Sequence, residues 1–254
     1  LDAFHPPCRL DIVTEKPRVG IVRNYVSHPA HCPLPALLLA LTVVTGLVDA
    51  VSIIALGRVF VANMTGNIVF AGFALAGVPG YSGWGSVFAL IGFVTGATGG
   101  GVVLLRTTRN RGKLLRNAVS IELILTLGGL AIALVAGRTL GNPAQYAIVL
   151  LLSFALGVRN SVVRHLAVPD MTTTVLTMAI TGIGADLRKR DTTSVLRRLL
   201  SIAAVLVGAL LGAVLILNVG APAALETIAV MLLVIGILAT VASRRPSGWQ
   251  VEKP

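Results

Sequence analysis

Asp49 stands inside an apolar stretch that begins near Pro35 and ends near Leu56. A charged side chain at that depth in a hydrocarbon layer costs a few kcal/mol unless it is paired or wet. Such a carboxylate suits a proton or cation site. It also suits two structural uses, as a partner for Arg58 or as a cap for nearby backbone.

Two polar clusters follow the same logic. Asn63-Met64-Thr65-Gly66-Asn67 and Asp170-Met171-Thr172-Thr173-Thr174 each open an otherwise apolar segment. Asn, Asp and Thr at such openings cap helices, because their side-chain oxygens accept from the unpaired N–H groups of the first turn. One cap per helix would suffice. The surplus groups either bond across helices or line a solute path. Two helix N-termini favour an anionic or polar solute. Asp170 opposes a bare anion unless it is protonated, and that is how proton coupling would enter, through Asp170 or Asp49. The candidate solute- or ion-binding set is therefore Asp49, Asn63, Thr65, Asn67, Asn160, Asp170, Thr172, Thr173 and Thr174.

Other charged residues have blander readings. Glu122, near Arg116 and Asn117, reads as a surface salt bridge or a snorkelling side chain. Glu226 reads as a solvated charge at a helix start. Arg159 and Arg164 read as a solvated positive helix end, with gating as the sharper alternative. His5, Cys8, His28, His31 and Cys32 fit no common zinc spacing, so neither a metal nor a cofactor is expected. No phosphate loop, nucleophile elbow or metalloprotease helix occurs. With His165 alone among histidines in the apolar region, no catalytic triad is supported, and the chain is not expected to be an enzyme.

The elements that must position these residues are membrane helices. Of 254 residues, 55% are hydrophobic and only 12% charged, about half the charge of a soluble domain. Apolar runs cover about 35–56, 84–105, 117–137, 144–163, 199–217 and 223–242. Each is long enough for a hydrocarbon core of about 30 Å. Two weaker segments, 59–78 and 167–185, read as an extended opening and a short helix. A helix of about 13 residues reaches near 20 Å, too little to span comfortably.

The halves repeat. Gly46-Leu47-Val48-Asp49-Ala50-Val51 aligns with Gly157-Val158-Arg159-Asn160-Ser161-Val162, so Asn160 is the mate of Asp49. The polar openings follow, then Gly96-xxx-Gly100 and Gly208-xxx-Gly212, whose missing side chains allow close helix approach. If all eight segments crossed, 13 basic residues would lie inside and 8 outside. If the weak segments dip in and return, the division is 19 against 2. The positive-inside rule selects the second arrangement. Each half then crosses three times, and the halves run in opposite directions.

The fold class is thus all-α integral membrane, with six spanning helices plus two re-entrant half-helices in an inverted repeat. The two polar openings would face each other near the bilayer centre. Residues 1–34 read as a disordered tail, 35–243 as the membrane domain (repeat halves 35–137 and 144–243) and 244–254 as a second cytoplasmic tail. The net charge of +11 serves orientation and anionic lipid rather than nucleic acid.

Thr45-Gly46-Leu47-Val48-Asp49-Ala50-Val51-Ser52, the stretch from Gly57 to Asn67 and Asp170 to Thr177 resemble the YoaK-like family of bacterial inner-membrane proteins. That family is an uncharacterised group, so the resemblance implies a multi-pass protein of the bacterial inner (cytoplasmic) membrane and supplies no substrate. A looser likeness to sulfate- and uracil-permease-type transporters is architectural. The leading expectation is a secondary transporter or permease for a small polar or anionic solute, with both termini cytoplasmic. The alternative is a non-transporting membrane scaffold or assembly partner. The bilayer, an unknown small polar solute and a second copy of the chain in a homo-oligomer are the partners considered.

Overall fold

The computed structural model describes residues 34–108, 110–137, 140–166, 176–188 and 192–244. These residues form helices and turns, with no strand among them. In chain order the helices are α1 (Leu34–Ile54), α2 (Met64–Leu75), α3 (Gly83–Thr107), α4 (Arg111–Ala136), α5 (Asn142–Leu166), α6 (Leu176–Arg188), α7 (Thr192–Asn218) and α8 (Ala221–Arg244). Six of them, α1, α3, α4, α5, α7 and α8, are long and apolar enough to cross a membrane.

Local chemistry sets the ends. Pro35, Pro143 and Pro222 each occupy the second position of a span, where a missing N–H costs nothing and the ring presets φ. Helices α4 and α7 start several residues before the apolar runs that announced them. Their first two turns carry Arg111, Lys113 and Arg116, and Arg197 and Arg198, charged residues that an apolar-run criterion leaves out. Midway along α3 the backbone widens into a π-helical turn over Gly96–Gly100.

Each weak segment contains a short helix, α2 and α6, and the opening of α2 is described. Asn63 caps α2, its side chain accepting from the Gly66 N–H at 3.4 Å. The helix runs 12 residues, about 18 Å at the usual rise. It stops where Val78 N–H donates to Phe73 O at 3.0 Å and Gly77 takes a φ of 78°.

The segment 57–82 leaves from and returns to one end of α5. Gly57 lies beside the Gln145 side chain, and the Ser82 hydroxyl bonds that of Tyr146 at 3.1 Å. Between these ends, Arg58 lies against Gly80 and over the Tyr81 ring, 6.0 Å from its centroid. Phe70 stacks on Phe60 at 5.6 Å and meets Tyr81 at 5.0 Å.

Helices α1, α8, α4 and α5 pack consecutively, each on the next. Helix α3 packs on α5 and α7 on α1, while α2 packs on α3 and α6 on α7. Exchanging the first four helices for the last four maps this set of pairings onto itself. Glycines make the closest crossings. A Cβ on Gly46 would overlap the Val205 carbonyl, and one on Gly208 would overlap that of Val43. In the other half, Gly157 and Gly96 stand in the same way against Phe93 and Phe154. The small-residue faces read from the sequence are these crossings. Large apolar side chains such as Leu75 (91% exposed) and Val135 (90%) point outward, as lipid-facing positions do.

Candidate functional site

The packing of α1 with α8, α8 with α4 and α4 with α5 leaves a seam between α1 and α5 that Arg159 bridges. On α5, Leu152, Leu156, Arg159, Val162, Val163 and Leu166 recur at three- and four-residue spacing, and all are buried. On α4 the same spacing aligns Leu115, Val119, Glu122, Thr126 and Gly129. Each helix thus carries one ionic residue in the middle of its packing stripe.

Arg159 is 0% exposed and Glu122 2%. The Arg159 Nη1 donates to Glu122 Oε1 at 2.8 Å, and Nη2 donates across the seam to Thr45 Oγ1 at 2.7 Å. Thr45 passes its own proton to Leu41 O at 3.0 Å, which leaves its oxygen free to accept. Asp49 lies one turn beyond Thr45 on the same face of α1, within the field of the Arg159 charge. Arg159 thus bonds one carboxylate and one hydroxyl, and Asp49 stands next along the α1 face without a bonded cation.

The cluster is incompletely satisfied. Asp49 Oδ1, Glu122 Oε2 and Arg159 Nε are buried without a hydrogen-bond partner, as is Thr126 Oγ1 one turn from Glu122. Buried polar groups are normally paired. The open carboxylate oxygens of Asp49 and Glu122 can accept a proton or a donor, and the Arg159 Nε–H can donate to an acceptor.

The remaining candidates divide. Asn67 is buried and holds backbone, its Oδ1 accepting from Phe60 N at 2.8 Å and its Nδ2 donating to Phe60 O at 2.5 Å. Asn63 and Thr65 are exposed at the start of α2, which packs on α3 at the flank of the four-helix core. They do not join Asp49. Asn160 is half-buried beside Arg159 on α5. Asp170, Thr172, Thr173 and Thr174 lie outside the described residues, as do both tails up to residue 33 and beyond 244.

Two readings of charged residues are corrected. Arg159 is not a solvated helix end but, among the described residues, a fully buried cation, so it leaves the positive-inside tally. Glu122 is salt-bridged, but to Arg159 across the core rather than at the surface. Arg116 turns instead to Asn117, its Nη2 lying 2.9 Å from Oδ1. Arg164 and Glu226 are exposed, as read. Glu122, Arg159 and Thr45 were absent from the candidate set. Their place in the three-four stripes of α4, α5 and α1 was the signal that could have found them.

These features define a class: an all-helical, multi-pass membrane protein with an ionic cluster enclosed by its central helices. The family model described as "Protein of unknown function (DUF1275)" matches residues 37–238, and the chain belongs to that family. It is similar to the "UPF0700 transmembrane protein YoaK" of Bacillus subtilis (strain 168), with 29% identity over 154 residues, 61% of this chain and 67% of that one. No solved structure matches it.

Proposed function

We propose that the protein is a secondary transporter, not an enzyme, that moves a small polar solute together with a proton across the bacterial inner membrane. The enclosed Asp49–Arg159–Glu122 cluster carries this reading. Ionic groups at the heart of a membrane bundle are expensive, and they mark ion and solute paths. Glu122 takes the Arg159 charge, so the Asp49 carboxylate, whose Oδ1 has no hydrogen-bond partner, is left to be met by a proton or cation. The same carboxylate turns a bare anion away, so the polar half of the sequence expectation has the better support.

Two further observations support the inverted-repeat architecture behind the proposal. The helix pairings survive exchange of the halves, and segment 57–82 starts and ends at the level of Gln145 and Tyr146, as a re-entrant segment would. Alternating access would rock the α1–α7 and α5–α3 pairs about the seam that Arg159 closes.

The test is a melting screen of the purified protein in micelles against amino acids, nucleobases and small carboxylates. A ligand that binds the native state raises the melting temperature by mass action. The solute found should then enter proteoliposomes with proton uptake, and Asp49→Asn should abolish that uptake while the variant still melts cooperatively. A screen without any shift, together with a stable protein complex on detergent pull-down, would replace this reading with that of an assembly partner.

A further inference from the structure

We propose that the groove between α4 and α8 binds one acyl chain of an anionic phospholipid, whose phosphate lies at Lys113 and Arg116. The groove encloses about 350 Å³ and is walled by Val119 and Leu123 of α4 and by Leu233, Gly236, Ile237 and Val241 of α8. Gly236 makes the room, since a Cβ there would only reach ordinary contact with Val119, at 3.7 Å. The Thr240 hydroxyl is turned back onto Gly236 O at 2.7 Å, leaving carbon to face the slot.

The charge sits at one end. Arg116 and Lys113 lie three to seven residues before Val119 and Ser120, one and two turns along the same face, and helical side chains lean toward the N-terminus. Both therefore project past the mouth of the groove. Arg116 bonds the neutral Asn117 amide, which leaves its charge uncompensated. Lys113 is exposed. Glu122 faces away from the groove, buried against Arg159. Among the described residues, no carboxylate competes for these cations.

An acyl chain gains little by leaving bulk lipid for an apolar slot, because lipid tails are as apolar as Leu. Selectivity must come from the headgroup. Two surface cations near an anionic headgroup give about a 30-fold preference over a zwitterionic lipid of the same chains.

Native mass spectrometry of the full chain, washed in detergent and offered equal dioleoyl phosphatidylglycerol and dioleoyl phosphatidylcholine, reads this directly. One phosphatidylglycerol per chain is expected, at about the stated preference. The Lys113→Gln/Arg116→Gln variant should bind the two lipids about equally. Gly236→Leu should lose the retained lipid of either kind, and Val241→Trp fills the slot from its rim should the glycine variant not fold. Equal retention of the two lipids by the wild type would overturn the proposal. So would unchanged preference in the double variant, or full retention after filling the slot. A dimer mass that disappears on filling would assign the groove to a second copy of the chain instead.

Discussion

Replacing Arg159 should cost far more than replacing Glu122, although the two form one ion pair. In Arg159→Met, Glu122 loses its cation at 2.8 Å and Thr45 loses its donor at 2.7 Å. Stranding a buried charge by deleting its partner costs about 3–5 kcal/mol. In Glu122→Gln the guanidinium keeps Thr45, and the amide oxygen still accepts from Nη1. The loss is then about 1–2 kcal/mol, that of weakening one charge-assisted hydrogen bond. The double variant Glu122→Gln/Arg159→Met should recover part of the arginine loss, because one stranded carboxylate has gone. Unfolding by added SDS in mixed micelles, followed by the fluorescence of Trp84, measures all three. Equal losses for the single variants, or a loss below about 1 kcal/mol for Arg159→Met, would refute the assignment of Arg159 as the donor shared by Glu122 and Thr45.

Other consequences follow from single contacts. Gly46→Ala and Gly157→Ala place a Cβ on a backbone carbonyl of the facing helix, and each should destabilise by about 1–3 kcal/mol. A similar loss in the two is expected in SDS unfolding, since the crossings are alike. Asn67→Ala removes both bonds to Phe60 and leaves buried backbone groups unpaired, at about 1–3 kcal/mol each. Faster proteolysis at the 57–63 turn would check it. Arg198 Nε reaches Asp186 Oδ2 at 2.7 Å, so Arg198→Gln should loosen α6 from α7. Hydrogen exchange in α6 should rise by up to about fivefold, the ratio for a pair worth about 1 kcal/mol, the upper side of what such pairs give.

The spans were legible because a bilayer demands long, predominantly apolar runs, and Leu34–Ile54 and Asn142–Leu166 supply them. The cap at Asn63 was equally local, since a side-chain oxygen finds the N–H groups of its own first turn. The glycine crossings could be located by their spacing, but not assigned partners. That Gly46 meets α7 and Gly157 meets α3 depends on how the halves interleave, which no local pattern encodes. The cluster was legible only in part. Asp49 stood out as a lone acid in an apolar run, whereas Arg159 and Glu122 lie near basic stretches that suggested solvent. Charge type and sequence neighbours misled there. Their phase along the helix, shared with Leu156 and Val119, carried the information. Asn67 looked like a solute ligand because its amide is identical in chemistry whether it holds a solute or the backbone of Phe60.

The most direct measurement is thiol accessibility at Arg58→Cys and Gly80→Cys, made singly in a background with Cys8 and Cys32 replaced by Ser. Membrane-impermeant reagent applied to sealed vesicles of known orientation should reach both positions from one face, because segment 57–82 turns back on itself. Labelling of the two from opposite faces would mean that α2 crosses completely, and it would contradict the oppositely oriented halves on which the transport proposal stands.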